Sequence, residues 1–289
     1  MTLSYQRLPR VLTIAGSDSG GGAGIQGDLK TIAALGCFGT SVITVLTAQN
    51  TQGVRSIFEV SPQFVSEQLQ TVLEDIGTDA IKTGMLYHPE IIREVANVLK
   101  RYPTIPIVVD PVMTAKGGAT LLQQKALIPL REALFPLASI LTPNLPEAEM
   151  LIGYPIKDES PQHQEKAATE LLVSLGPQAK AVVLKGGHYS GTKAKDCVCL
   201  REDNRIRTLW MKAPRIHTQN THGTGCTLSS AIACFLAKGW TVAASIEQAK
   251  KYVTAAIQKG ASIRLGQGHG PLHHFYSLSD LEPFHVHSY

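Results

Sequence analysis

The sequence predicts a three-layer α/β fold, with a mostly parallel central sheet, helices on both of its faces and a small antiparallel hairpin late in the chain. Two observations carry this. Short apolar runs ending at glycine or a polar residue alternate with longer stretches of helical spacing between residues 11 and 259. The alternation breaks once, where two strand-like runs flank Asp203-Asn204, a tight-turn pair. No repeat, low-complexity linker or break in composition interrupts the pattern, so residues 1–289 are expected to form one domain.

The elements follow in order. Val11 to Ala15 reads as a buried strand closed by glycine. Gly24 to Leu35 has helical apolar spacing at Ile25, Leu29, Ile32 and Ala33, and Gly36 stops it. Ser41 to Leu46 is the next strand. Ser61-Pro62 is an N-cap followed by proline at the first helical position, opening a helix to about Ile76. Ala80 to Lys82, Pro106 to Val109, Ser139 to Leu141 and Ala181 to Leu184 are strands. Helices are expected over His88 to Arg101, Leu121 to Phe135, Glu147 to Ile152 and Pro161 to Leu175, the last again following a serine. Cys197 to Leu200 and Ile206 to Met211 form the hairpin. Thr227 to Leu236 and Val242 to Lys259 are the last helices, and the tail after Gly266 is irregular.

Composition narrows the function. Hydrophobic residues make up 44% and charged residues 17%, as in a folded globular protein. Aromatics at 6% and scattered basic residues with a net charge of +4 argue against nucleic acid and suit a small anionic substrate. No apolar run is long enough to span a membrane. The five cysteines are odd in number and lack zinc-finger spacing, which points to a reducing cytoplasm.

Ligands of open parallel sheets sit at the carboxyl ends of the strands. Four clusters fall there. The first is Gly16-Ser17-Asp18-Ser19-Gly20-Gly21-Gly22-Ala23-Gly24, whose glycines let backbone approach a ligand. It contains a G-x-G-x-x-G string, but one that starts well past the strand, with no acidic residue ending the next strand, so a dinucleotide site is rejected. The other reading is a mobile linker. The second cluster is Thr221-His222-Gly223-Thr224-Gly225-Cys226-Thr227, opening an apolar helix. Backbone N–H groups there, with the helix dipole, make an anion site suited to a transferring phosphoryl group. Cys226 lies where thiol pKa values tend to fall, or is an inert small residue at a helix start. No Walker A string is present. In the third cluster, Asp110 and Glu147 follow strands and either converge on Mg²⁺ or, for Glu147, serve the helix dipole. The fourth is Lys185-Gly186-Gly187-His188, whose lysine either reaches a phosphate or is solvated. The histidines of the tail, His273, His274, His285 and His287, lack metal-site spacing. Thr114 to Gly118 is a lid or a long turn.

These clusters, in this order, resemble the hydroxymethylpyrimidine/phosphomethylpyrimidine kinase family. The matching strings are LTIAGSDSGGGAGIQGDLKT, TAQNTQGV, KTGML, VVDPVM, LTPNLPEAE, LKGGH and NTHGTGCTLSSAIA, with His269-Gly270-Pro271-Leu272-His273-His274 fitting the family's end. The resemblance implies a ribokinase-like fold, a homodimer, and transfer of the γ-phosphoryl group of MgATP to 4-amino-5-hydroxymethyl-2-methylpyrimidine and then to its monophosphate. A pyridoxal/pyridoxine kinase is the nearest alternative. The resemblance further implies that Gln49 binds the pyrimidine, with Gly16, Ala23, Asp28, Met85 and Val112 lining its pocket. Gly223, Thr224, Gly225 and Cys226 would form the catalytic anion hole, Lys185 and Asn144 would meet ATP, and Asp110 and Glu147 would serve Mg²⁺. Ribokinase places an aspartate base where this chain has Cys226, which leaves the base open: either a thiolate takes the hydroxyl proton, or positioning in a loose transition state matters more than proton removal.

Overall fold

Residues 7–113, 124–156, 160–186, 192–203 and 205–278 are described by the structure, a computed structural model. Alternate residues of β1 (Arg10–Asp18) point to opposite faces of the sheet, and Val11, Leu12 and Ile14 are all fully buried. Such a strand must be covered on both sides. α1 (Gly24–Ala34) leads to β2 (Phe38–Asn50), β3 (Gly53–Glu59), α2 (Pro62–Asp75), β4 (Ala80–Thr83), α3 (Pro89–Leu99) and β5 (Ile107–Val109). After a broken helical stretch containing α4 (Leu127–Pro129) come β6 (Ile140–Leu141), α5 (Leu145–Ile152), α6 (Pro161–Ser174) and β7 (Ala181–Leu184). The hairpin β8 (Lys193–Glu202) and β9 (Arg205–Pro214) precedes α7 (Thr224–Ala237) and α8 (Val242–Gly260).

The strands form one sheet in the order β3-β2-β1-β4-β5-β6-β7-β8-β9. The pairs from β2 to β7 are parallel, and β3, β8 and β9 are antiparallel additions at the two edges. Leu12 and Ile14 pack with α2, α3, α5 and α6 on one face, while Val11 packs with α1, α7 and α8 on the other. In α3 the spacing of Ile91, Ile92, Val95, Val98 and Leu99 puts one apolar stripe on the sheet. Burying a side chain such as Ile92 or Val95 contributes about 1.5–3 kcal/mol. The chain turns one way from β1 to β2 and the other way to β4, so a crevice opens at the carboxyl end of β1.

Local signals account for most element ends. Ser61 Oγ accepts from Phe64 N and caps α2, with Pro62 at its first position. Three expectations differ. β3 has no burial pattern to detect, because all but one of its residues are exposed; it exists only because β2 continues to Asn50 and pairs back on itself. The expected helix over Leu121 to Phe135 lies partly outside the described residues. From Gln124 to Leu137 it is a run of 3₁₀, α and π turns, since Pro129 and Pro136 each remove an N–H from the ladder. Ser160 precedes α6, but its hydroxyl bonds Gln162 and does not cap the helix. Asp203 turns the hairpin with φ +47°; Asn204 lies outside the described residues. Thr114 to Gly118, Gly187, His188, His285 and His287 also lie outside them. The tail is irregular through residue 278, yet Leu272 and His274 are buried in it.

Candidate active site

The register of β1 against β2 shifts between Ala15 and Ser17. Gly16 sits at this irregularity with no room for a side chain: a Cβ there would lie 2.4 Å from Met85 Cε and 2.8 Å from Val45 Cγ1. The glycine loop then folds around Asp18, whose carboxylate accepts from Gly20 N (2.8 Å), Gly22 N (3.1 Å) and Ala23 N (2.8 Å). The loop is therefore an anchored turn, not a mobile linker. Burial raises the Asp18 carboxyl, but the hydrogen bond from His222 and those from the Ala23 and Gly20 amides hold it below the ordinary aspartate value.

α7 begins opposite this loop. Its N-cap Gly223 has φ +83° and no side-chain cap, and a Cβ there would meet Gly22 O at 1.9 Å. Only glycine permits this contact between the two glycine clusters, which brings the start of α7 onto the end of β1. The dipole and first-turn N–H groups of α7 face the crevice. A Cβ at Gly225 would lie 3.2 Å from Lys185 Nζ and 3.6 Å from Asp110 Oδ2, so the second and fourth clusters meet here as well.

Lys185 Nζ donates to Asp110 Oδ1 at 2.8 Å and lies 3.9 Å from Glu147 Oε2. Burial lowers the lysine's pKa, but Asp110 and Glu147 together hold it above the ordinary value. Thr142 Oγ1 donates to Asp110 as well, at 3.1 Å. Asn144 and Glu147 form a capping box on α5: Glu147 N donates to Asn144 Oδ1 (2.8 Å) and Asn144 N to Glu147 Oε2 (2.7 Å). Glu147 is thus a helix-turn acid whose charge also meets that of Asp110. Burial, with the Asp110 charge added, pushes the Glu147 carboxyl up to about 7 despite Lys185. Two oxygen-donor carboxylates at the cavity wall match the sparse protein ligation that Mg²⁺ adopts beside phosphate. The residues fit that ion, although among the described residues no group of three or more His, Cys, Asp or Glu forms a metal cage.

A cavity of about 310 Å³ gathers these groups. Gly16, Ala23, Gln49, Met85, Asp110, Val112, Asn144, Glu147, Lys185 and residues 223–226 all line it. Asp28 does not, which corrects its expected place in the pocket wall. It is wholly buried behind the wall, accepting from Thr13 Oγ1 (2.6 Å), Ser230 Oγ (2.7 Å) and Lys82 Nζ (2.7 Å). Lys82, whose side chain is fully buried, lines the cavity in its place. The sequence held a signal for it: a lysine inside the short apolar strand β4 needs a buried counter-charge. Cys226 is the second correction. Burial, reinforced by the Asp28 and Asp110 charges, pushes its thiol up to about 11, outweighing Lys82 and the Gly24 N–H, so the helix terminus does not lower it. His222 also lines the cavity, having drawn no role from sequence.

A second cavity, of about 420 Å³, runs between the β8–β9 hairpin and α8. It shares Asn144, Lys185, Thr221, Thr224 and Gly225 with the first. At its far side Lys250 Nζ pairs with Asp196 Oδ2 at 2.6 Å, and Asp196 Oδ1 accepts from Gly186 N, the residue after Lys185.

Known proteins resemble this chain throughout. The sequence profile described as phosphomethylpyrimidine kinase matches residues 18–273. The hydroxymethylpyrimidine/phosphomethylpyrimidine kinase of Escherichia coli (strain K12) is 43% identical over 266 residues, covering 92% of this chain and 97% of that one. The thiamine biosynthesis bifunctional protein ThiED of Geobacter sulfurreducens is 50% identical over 271 residues; these are 94% of this chain, which spans 53% of that longer protein. Bacillus subtilis pyridoxal kinase, solved as an ADP complex, superposes with a TM-score of 0.84 at 37% identity, covering 95% of this chain and all of that one.

Proposed function

The chain belongs to the phosphomethylpyrimidine kinase family, and from that premise we propose that it transfers a phosphoryl group from ATP to 4-amino-5-hydroxymethyl-2-methylpyrimidine and then to the monophosphate, in thiamine biosynthesis. The fold is ribokinase-like, and residues 1–289 are read as one kinase domain. The observation that supports the reading most is the shared rim of the two cavities. A hydroxymethyl group beside Gln49 and a triphosphate along β8–β9 would meet at Lys185, Thr224 and Gly225.

In this reading Gln49 recognises the aminopyrimidine edge, Met85 and Val112 are its apolar walls, and Gly16 and Ala23 let the ring approach the backbone. The Gly223, Thr224, Gly225 and Cys226 segment holds the moving phosphoryl group at the start of α7. Lys185 and Asn144 contact the nucleotide. Asp110 and Glu147 would hold Mg²⁺, which when bound neutralises charge on the phosphate oxygens. Cys226 accepts the hydroxyl proton. A thiol at about 11 is protonated at neutral pH, so its thiolate form is scarce. Turnover is therefore limited by the small thiolate fraction, which grows as pH rises.

Two further features support finer parts of the reading. The exposed edge strand β3 carries Phe58 at 70% exposure, with Leu46 across the ladder on the same face, an apolar pair suited to a second copy in a homodimer. All five cysteines are free, in keeping with a reducing cytoplasm. The likeness to pyridoxal kinase motivates a second reading, in which pyridoxal is also a substrate. A coupled assay with MgATP and hydroxymethylpyrimidine, its phosphate or pyridoxal decides between them. Mono- and then diphosphate products are expected from the pyrimidine, and an active preparation yielding neither would overturn the proposal.

A further inference from the structure

We infer that His222, held by Asp18, is the positioning residue that fixes which way round the Gln49 amide faces the substrate, and so makes the site specific for a 4-amino edge over a 4-oxo edge. The inference rests on the reading of Gln49 as the pyrimidine contact and adds what determines its sense.

Asp18 is 3% exposed, and its carboxylate accepts from three backbone amides. It lies 2.9 Å from His222 Nε2. An acceptor-only carboxylate at that distance requires the hydrogen to be on Nε2. The imidazole is held in place from behind. His222 N donates to Gly270 O at 3.0 Å, and a Cβ on Gly22 would touch both the His222 ring (2.6 Å) and Pro271 (3.1 Å). His222 Nε2 is also 3.3 Å from the Gln49 side-chain nitrogen position, so an N–H there would face an N–H.

The other end of the amide has the complementary conflict. Thr47 has one hydroxyl proton, and Ser17 O accepts it at 2.8 Å. The Gln49 oxygen position, 3.2 Å from Thr47 Oγ1, would then be one acceptor facing another. Turning the amide half a revolution about its last torsion resolves both conflicts without moving its outline. Oε1 then shares the His222 Nε2–H with Asp18, and Nε2 donates to Thr47 Oγ1. The groups left for the cavity are a second lone pair on Oε1, on the His222 side, and a second N–H, on the Thr47 side.

A substrate must therefore offer a donor toward His222 and an acceptor toward Thr47. An exocyclic amine beside an unprotonated ring nitrogen offers both. A 4-oxo analogue carries a carbonyl and a ring N–H, which reverses the pattern. It would leave two buried mismatches, a penalty that commonly reaches about a hundredfold or more in discrimination.

The test compares wild type and His222→Phe with the 4-amino substrate and its 4-oxo analogue, together with ¹⁵N NMR of the histidine ring in the wild-type protein. Wild type should prefer the amine by about a hundredfold in kcat/KM. His222→Phe should keep KM for ATP within about twofold, raise KM for the pyrimidine about tenfold, and cut the preference below about tenfold as the amide is freed to turn. The ring spectrum should show hydrogen on Nε2. An unprotonated Nε2, a wild type indifferent to the two substrates, or a folded variant with its preference intact each overturns the inference. A wild type that phosphorylates neither substrate instead overturns the proposed function, and the ring spectrum still decides the proton count.

Discussion

Replacing Asp28 by Asn tests the buried network beneath the site. Asp28 and Lys82 are both fully buried, with 2.7 Å between Oδ2 and Nζ. Asn keeps the shape and removes the counter-charge, so no cavity term enters. The Asp110 charge still favours the Lys82 ammonium ion, so the penalty is bounded by the cost of shedding its proton. From an unfolded-state lysine near 10.4, doing so at about pH 7.5 costs about 2.9 units of 1.36 kcal/mol, or about 4 kcal/mol. That agrees with the roughly 3–5 kcal/mol seen when one partner of a buried pair is removed. The penalty should also shrink as pH rises, to about 1 kcal/mol near pH 9.5, because the unfolded lysine is then easier to neutralise. In wild type the Lys82 pKa lies above the ordinary lysine value, held there by Asp28 against burial. Its contribution is therefore complete below about pH 10.4 and constant across this range. Urea unfolding of both proteins at the two pH values measures the difference. A deficit under about 1 kcal/mol at the lower pH, or one that does not change with pH, would refute the reasoning.

Three other outcomes follow from the same charges. Because Glu147 is pushed up to about 7 by burial and Asp110, apparent Mg²⁺ affinity should weaken as pH falls below about 7, and Glu147→Gln should bind Mg²⁺ weakly at every pH, as read by titrating activity with Mg²⁺. His274 is pushed down to about 4 by burial, so the folded state resists its protonation. Stability should fall as pH drops from about 6.5 toward 4, and His274→Gln should flatten that loss in acid unfolding curves; an unchanged slope would mean another group carries it. With its thiol at about 11, Cys226 as the proton acceptor should make log kcat rise with pH between about 8 and 10. Cys226→Ala should lose at least about tenfold in kcat together with that rise, and a variant matching wild type would show the thiol to be a bystander.

The parts of this protein legible in its sequence are those set by neighbours along the chain. The apolar spacing of Ile91, Ile92 and Val95, the Ser61-Pro62 start of α2 and the Asp203 turn are short-range effects, and each marks its element to within a few residues. Gly16, Gly22, Gly24 and Gly223 were also readable as close-approach points, because a Cβ at each would collide with its neighbours. β3 was not readable, since an exposed strand leaves no burial period.

The charges of the site belong to tertiary structure. Asp28, Lys82, Asp110, Lys185 and Cys226 come from α1, the ends of β4, β5 and β7, and the start of α7, and they affect one another only once packed. A helix terminus alone predicts a lowered Cys226 thiol, while burial beside two carboxylates raises it. Position along the chain determined the strands, helices and glycine turns, because those depend on local sterics and period. Three-dimensional packing decided which carboxylate faces the cavity, which is sealed behind it and which proton each holds, because Coulomb energies depend on distance and desolvation that no local pattern encodes.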